Sequence, residues 1–441
     1  MTSAHTSTQP LAVDIAIVGG AMAGATLALG LAKLSATLSR PLRIALIEAH
    51  VANNNHPGFD ARSIAVAHGS VFELTRLGIW PKLQHLGTAI ENIHVSDRGH
   101  FGMTELNAKP LGLDALGQVV ELAQVGKVLF EQLAQSAVRV FCPAKVTQIL
   151  AQTSGHLLTL DDGTQLHCQL LVAADGANSV VRQHLGQPTE KIDFDQTAIV
   201  ANITTDQAHQ HWAYERFTQT GPLALLPMSS ASNSFKSKSF ESKSSASKSS
   251  ASKSSATPTQ SRFSVVWALP PAQAHELVNG DKTEFLAALQ QAFGHRAGRF
   301  VDVGQRVSYP LTLSYMPRPV YHRCIFVGNA AQTLHPIAGQ GFNLGLRDVV
   351  GLLNVLEQAF SAHQLTNSST QVDVGSSAIV HQYLVDRQAD RDSTLRNIEF
   401  LVRGFSNQYW PLVAGRNVGL RLLSWLPPLK RPVAQTAMGW R

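Results

Sequence analysis

The chain has 441 residues, 44% of them hydrophobic and 15% charged, with a formal net charge of +6. That length exceeds one typical core, so two or three packed units are expected. Five lysines against one glutamate between Ser229 and Ser261 carry +4 of the charge, and the +2 left elsewhere gives no basic groove for nucleic acid.

The cysteines Cys142, Cys168 and Cys324 are far apart and form no C-x-x-C. They read as reduced, buried thiols of a cytosolic protein. The N-terminal stretch MTSAHTSTQPLAVD has no basic n-region and no cleavage pattern, so no secretory signal is expected.

The first element is a β-branched strand, VDIAIV. The uncharged run from Ile15 to Ala32 that overlaps it is long enough to suggest a membrane span, and it includes Gly20-x-x-x-Gly24. Its flanks favour another reading. Glycines cluster directly after the strand, ATLALGLAKL has helical spacing, and a second strand follows from Leu42 to Glu48. Strand, tight turn, helix and strand open a dinucleotide-binding βαβ unit. Gly19 permits the turn, Gly24 lets the helix approach the sheet, and the free N–H groups of the helix face a pyrophosphate. Glu48 ends the second strand, where an acid takes ribose hydroxyls. Ala21 stands where the G-x-G-x-x-G pattern has its middle glycine, which weakens the fingerprint.

Further along, AIENIHVSDRG and the region from Thr189 to Pro310 are rich in strands. LLVAADGANSVVR (Leu170–Arg182) is a second strand-to-turn junction, with Asp175 and Gly176 at the bend. GPLALLPM (Gly221–Met228) and RFSVVWAL read as paired hairpin strands. Between them lies a low-complexity segment, 229–261, with an S-S-A-S-K repeat, too poor in apolar residues to pack and expected to be disordered. A hairpin tip tolerates such an insertion, because closure entropy grows slowly with length. CIFV, Gly328 and Asn329 form a third junction, which leads into a helix entered through Gly339 and Gly341. The three junctions are expected to converge on one ligand. Past Gly375 the spacing is helical.

Several chemistries are excluded by pattern. There is no H-E-x-x-H and no G-x-S-x-G. His209 and His211 lack a third ligand nearby in sequence, so no metal site is expected. His335 precedes Pro336 and reads as a structural histidine ahead of a fixed turn. No catalytic base is assigned.

The three junctions, together with HPGFDARSIAVAHGSVFELTRLGIW, ERFTQTGPLALLPMS, GNAAQTLHPIAGQGFNLGLRD and WPLVAGRNVGL, resemble the class A FAD-dependent aromatic monooxygenases of the para-hydroxybenzoate hydroxylase superfamily. Within that superfamily they are most similar to the ubiquinone-biosynthesis hydroxylase branch and its 2-octaprenyl-6-methoxyphenol hydroxylases. The resemblance spans nearly the whole chain outside the Ser/Lys segment. It implies an α/β fold: a discontinuous Rossmann-like FAD-binding domain (1–78, 110–187 and 310–370), an antiparallel β-sheet substrate domain (79–109 and 188–309), and a C-terminal helical region (371–441).

It also implies FAD contacts at Gly19, Gly20, Ala21, Gly24, Glu48 and Arg62, and at the backbone of Val146. Asp175 closes on the pyrophosphate. Gly328 and Asn329 hold the ribityl chain, with Asn329 in place of the family's usual Asp and Gln332 in place of its commoner His. Pro336, Gly339, Gln340, Gly341, Phe342 and Asn343 carry the helix start toward the flavin ring.

The implied reaction is hydroxylation of a prenylated phenol through a C4a-hydroperoxyflavin, with NADH or NADPH and O2. Such chemistry keeps the reactive atom on the cofactor, so a segment of glycines and amides suits it. Two alternatives remain: a related flavin hydroxylase with another ring position or substrate, and a catalytically idle flavin-binding scaffold of a biosynthetic complex. A halogenase is disfavoured, because W-x-W-x-I-P is absent. The implied partners are the phenol, subunits of a ubiquinone-synthesis complex and a peripheral contact with the inner face of the cytoplasmic membrane. The Trp- and Arg-containing C-terminus suits that contact.

Overall fold

A computed structural model describes residues 9–51, 62–229, 260–365 and 371–406, and in the C-terminal stretch residues 415, 417–419, 421–422, 425 and 438. The Ser/Lys segment between 230 and 259 and most of the C-terminal region lie outside the described residues.

The first sheet runs in the order β17 (Val320–Tyr321), β18 (Cys324–Phe326), β11 (Gln165–Ala173), β1 (Leu11–Val18), β2 (Ile44–Ile47) and β8 (Arg139–Phe141). The antiparallel strands β10 (Gly155–Leu160) and β9 (Val146–Gln152) extend it from β11. Its strands come from distant parts of the chain. β1 is parallel to both β11 and β2, and Val13 to Val18 are all buried. A parallel strand covered on both faces has no polar side to show, which explains the apolar run that resembled a membrane span.

On one face, Ile15 and Ile17 pack in a core with α1 (Met22–Ser35), α4 (Leu122–Ala134) and α8 (Gln340–Leu365). Small residues let the helices meet: a methyl group on Gly30 of α1 would lie 2.6 Å from Leu353 of α8. On the other face, Val13, Ala16 and Val18 meet residues of β9, β10 and α5 (Val180–His184).

The second sheet runs β19 (Gln332–Thr333), β16 (Phe300–Tyr315), β12 (Glu190–Thr205), β15 (Ser261–Leu269), β14 (Pro222–Met228), β13 (Trp212–Phe217), β5 (Asn92–Asp97) and β6 (Met103–Asn107). It is antiparallel except where β13 lies parallel to β5. β14 and β15 pair from Leu223↔Trp267 to Met228↔Arg262, which is the expected hairpin. Residue 310, read as a domain edge, falls inside the continuous strand β16.

Alternation divides the faces of this sheet. Tyr214, Leu223, Leu225, Phe263 and Val265 face outward onto α6 (Pro271–Asn279) and α7 (Lys282–Phe293). Ala213 and Leu226 face inward, onto Ala65, Ile90 and Val119. Those three belong to a small sheet, β3 (Ser63–Ala67), β7 (Gly117–Glu121) and β4 (Thr88–Ile90), set between the two large ones. The short helices α2 (His68–Arg76) and α3 (Trp80–Leu83) follow β3, and the long α9 (Ser377–Ser406) packs on α8.

Among the described residues no helix is long and apolar enough to cross a membrane. Cys168 and Cys324 are free and buried, as expected, but Cys142 is only part-buried, at the end of β8 on the sheet edge. No group of side chains suited to a metal ion occurs among the described residues, and the His209 and His211 rings meet edge to face with centroids 5.2 Å apart.

Candidate active site

The three strand-to-turn junctions meet. Ala174 donates to Val18 O at 2.7 Å and Val327 donates to Ala173 O at 2.9 Å, so all three strands end at one level. Gly19 has φ +99°, and a methyl group there would lie 2.5 Å from Ala174 O and 2.7 Å from the Asp175 Cα. Only glycine satisfies both the left-handed backbone and that approach. A methyl group on Gly24 would sit 1.8 Å from Gly19 O, which fixes how close α1 begins to the turn. The third junction reaches the same place: a side chain on Gly328 would meet Ala23 at 3.3 Å. Arg182 fastens the second junction to the third by donating to Ala330 O at 2.9 Å and Ala177 O at 2.6 Å.

At the first junction Glu48 is buried. Its Oε2 accepts from Gly20 N at 2.5 Å and its Oε1 from His50 N at 2.8 Å. Ala144 N donates to Glu48 O at 2.8 Å, which brings the chain leading to Val146 alongside that acid. Ala21 caps α1 in an extended conformation with no side-chain hydrogen bond, and no acid occupies the first turn. The amide end of α1 therefore keeps its positive pole for a ligand.

At the second junction burial raises the Asp175 carboxyl above its ordinary value, although Ser179 and the Val181 amide bond to it. Its Oδ1 is buried with no hydrogen-bond partner. At the third, Asn329 is exposed on the 3-10 turn Gly328–Ala330.

The start of α8 forms the other end of the site. Pro336 precedes the 3-10 turn Ile337–Gly339, which leads directly into α8 with no acid in its first turn. A methyl group on Gly341 would meet no protein atom within 4 Å. Phe342 is part-buried against the core beneath. Asn343 is saturated by protein groups. It accepts from Ala67 N at 2.9 Å and Ser70 Oγ at 2.7 Å, and donates to Ala65 O at 3.1 Å and Gly339 O at 2.8 Å. It therefore staples the start of α8 to β3 and α2, which positions the Gly339–Gly341 backbone.

Two further side chains are placed by packing. The Arg62 guanidinium lies over the Tyr309 ring, 5.2 Å from its centroid, so a cation–π contact holds it at the entry to β3. Gln332 is buried, and it bridges Asp348 at 2.6 Å and Arg391 at 2.7 Å. The residue replacing the family's commoner His thus belongs to the frame of the site. His335 is fully buried and accepts from Ile337 N at 3.2 Å through Nδ1, the structural use expected of it. Burial lowers its pKa to about 4, so the ring is neutral, with its hydrogen on Nε2.

A buried charge network stands behind the third junction. Asp348 accepts from Gly328 N at 3.2 Å and pairs with Arg387 at 2.9 Å. Arg387 in turn pairs with Asp390, which also holds Arg347 at 2.9 Å. Arg391 donates to Met316 O. This buried network ties α9 and α8 to the third junction. Charges spaced along an amphipathic helix resemble a solvated face, and only the packing of α9 on α8 distinguishes the two.

A paired set of helix amide ends, an uncapped carboxylate oxygen at Asp175, an exposed Asn329 and open space over Gly341 together fit an elongated anionic cofactor with a flat ring at one end. FAD has that chemistry: a pyrophosphate for the start of α1, hydroxyls for Glu48 and Asn329, and an isoalloxazine ring for the space over Gly341.

The comparisons with known proteins agree. Residues 12–365 match the FAD binding domain family. The chain is 30% identical over 438 residues to the ubiquinone hydroxylase UbiL of Rhodospirillum rubrum, covering 97% of this chain and 89% of that one. It is 28% identical over 431 residues to the 3-demethoxyubiquinol 3-hydroxylase of Escherichia coli, covering 97% and 98%. The crystal structure of p-nitrophenol 4-monooxygenase PnpA from Pseudomonas putida superposes with a TM-score of 0.69 over 98% of this chain and 99% of its own, at 16% identity, a likeness of fold.

Proposed function

This chain belongs to the FAD binding domain family and is an FAD-dependent aromatic monooxygenase; from that premise we propose that it hydroxylates the ring of a prenylated phenol in ubiquinone biosynthesis, using NADH or NADPH and O2. The observation that carries this reading is the start of α8, where no acid occupies the first turn, a methyl group on Gly341 would meet no protein atom within 4 Å, and the preceding Ile337 packs on Phe217 of the second sheet. The names of two relatives aligned over nearly their full lengths support the substrate class.

When bound, FAD supplies the chemistry, carrying electrons from the nicotinamide to O2 and one oxygen atom to the ring. The chain supplies position and electrostatics. The α8 amides would stabilise negative charge on a bound flavin ring. Asn343 fixes those amides, and Asp348 fixes the Gly328 turn that holds the other half of the cofactor. Ala213, Phe217 and Leu226 would give the phenol ring an apolar wall whose packing excludes water. We further infer that a methoxyphenol with a polyprenyl tail is the substrate, following the motifs of GNAAQTLHPIAGQGFNLGLRD.

Quinone profiling of a deletion strain tests the reading. The strain should stop making ubiquinone and accumulate a prenylated phenol one hydroxyl short. The wild-type gene should restore synthesis. Unchanged ubiquinone in the deletion strain would overturn it.

A further inference from the structure

The inner face of β13 carries one polar side chain. Ala213 packs with Ala65 of β3, and Gly339 stands so close that a methyl group on it would lie 3.4 Å from the Ala65 Cβ. Phe217 packs with Ile337, in the turn leading to α8, and with Ile398 and Val402 of α9. Glu215 lies between Ala213 and Phe217 on the same face, about 7 Å along the strand from each. Its cross-strand neighbours are Val95 and Ala224, both apolar. The carboxyl is thus bracketed by two contacts that lead to the Ile337–Gly341 segment. Its Oε1 is closed to solvent and has no hydrogen-bond partner.

An unpaired carboxyl in such a place is costly for folding, which calls for a ligand donor. We propose that Glu215 is a catalytic residue that accepts the hydrogen bond of the substrate's phenol hydroxyl and takes its proton. This rests on the hydroxylase reading above. As the carboxylate removes the O–H proton, the ring carbon ortho or para to that oxygen forms its bond to the oxygen atom delivered from O2. The second O2 atom leaves as water, and two electrons from the nicotinamide balance the reduction. The ring then holds a ketone and one tetrahedral carbon. That carbon loses its proton to water, the Glu215 acid returns its proton to the ketone oxygen, and the aromatic ring is restored with one more hydroxyl.

Burial alone raises the Glu215 carboxyl to about 7, where acid and base forms are both accessible. His94 of β5 lies across from Tyr214, and Arg216 alternates with Glu215, so both belong to the outer face of the sheet, while other charged groups nearby have partners of their own. Asp97 of β5 is held by Asn417 and His100, and Glu121 of β7 lies 3.4 Å from Arg262 of β15. Arg62 rests on Tyr309, His335 is neutral, Arg391 bonds Gln332, and Glu399 pairs with Arg403.

The test uses the FAD-loaded enzyme with 2-farnesyl-6-methoxyphenol in detergent. Wild-type kcat/KM for product should rise with pH through about 7. Glu215→Gln should lose that rise and about 100-fold in product formation, while holding FAD as well as the wild type. Glu215→Asp should recover part of the rate and the rise with pH. Infrared titration of the holoprotein without substrate should show a carboxylic C=O band that disappears near pH 7 and is missing in Glu215→Gln. If Glu215→Gln keeps the wild-type rate and profile, the assignment of Glu215 fails and the hydroxylase reading stands. If the wild type makes no hydroxylated product, the hydroxylase reading fails and takes the assignment with it.

Discussion

Gly341 and Ala21 show how much a single methyl group decides. If the flavin ring occupies the open space over Gly341, as proposed, Gly341→Val should fill it and release most of the FAD. Ala21→Gly should hold FAD at least as tightly as the wild type, because it removes the methyl that departs from the usual fingerprint. Absorbance at 450 nm against protein reads both variants, and a fully loaded Gly341→Val protein would contradict the placement of the ring. Glu215 makes the opposite kind of prediction. Its folded pKa of about 7 stands above the ordinary 4.5, so the folded chain holds the extra proton between those values. Stability therefore falls as pH rises through that window, and the full cost is present above 7. Glu215→Gln removes this cost and should stabilise the protein by about 1–3 kcal/mol at pH 8 and hardly at all at pH 4. Equal effects at both pH values in urea titrations would contradict it. The glycine and Glu48 positions were legible in the sequence because backbone geometry restricts those sites to few residue types. Glu215 was not, since ERFTQTGPLALLPM does not show which strand face looks toward the α8 start.

The elements divide in the same way. β1, α1 and β2 are readable from a β-branched run, a glycine turn and helical spacing, all local signals. The hairpin of β14 and β15 was readable across the long segment that separates them, because each strand carries its own pattern. The grip of α9 on the site was not readable, because it depends on which charges of that helix are buried. Asp348→Ala would leave Arg387 buried with half its compensation and Gly328 N without its acceptor. Breaking such a buried pair costs about 3–5 kcal/mol. The variant should lose that much in urea denaturation and should also bind FAD less tightly, through the displaced Gly328 turn. A loss of under 1 kcal/mol with FAD retained would mean that the network does not support the junction.

For the whole molecule, the proposed prenylated phenol has to reach the cofactor cradle from lipid. Among the described C-terminal residues, Leu422 and Trp425 are exposed, with Trp425 at 68%. We propose that this region touches the membrane surface, where tryptophan and leucine find the headgroup boundary. The protein should float with anionic liposomes, and Leu422→Glu with Trp425→Glu should release it while FAD stays bound. Flotation unchanged in the double variant would place the contact elsewhere. The central claim is that FAD, held by the three junctions and α8, transfers oxygen to a prenylated phenol. The most direct measurement supplies the FAD-loaded protein with NADH or NADPH, 2-farnesyl-6-methoxyphenol and oxygen-18 gas, and reads the product by mass spectrometry. The account predicts one oxygen-18 atom on the ring for each product molecule. A product labelled from water instead, or nicotinamide oxidation that yields only peroxide, would contradict it.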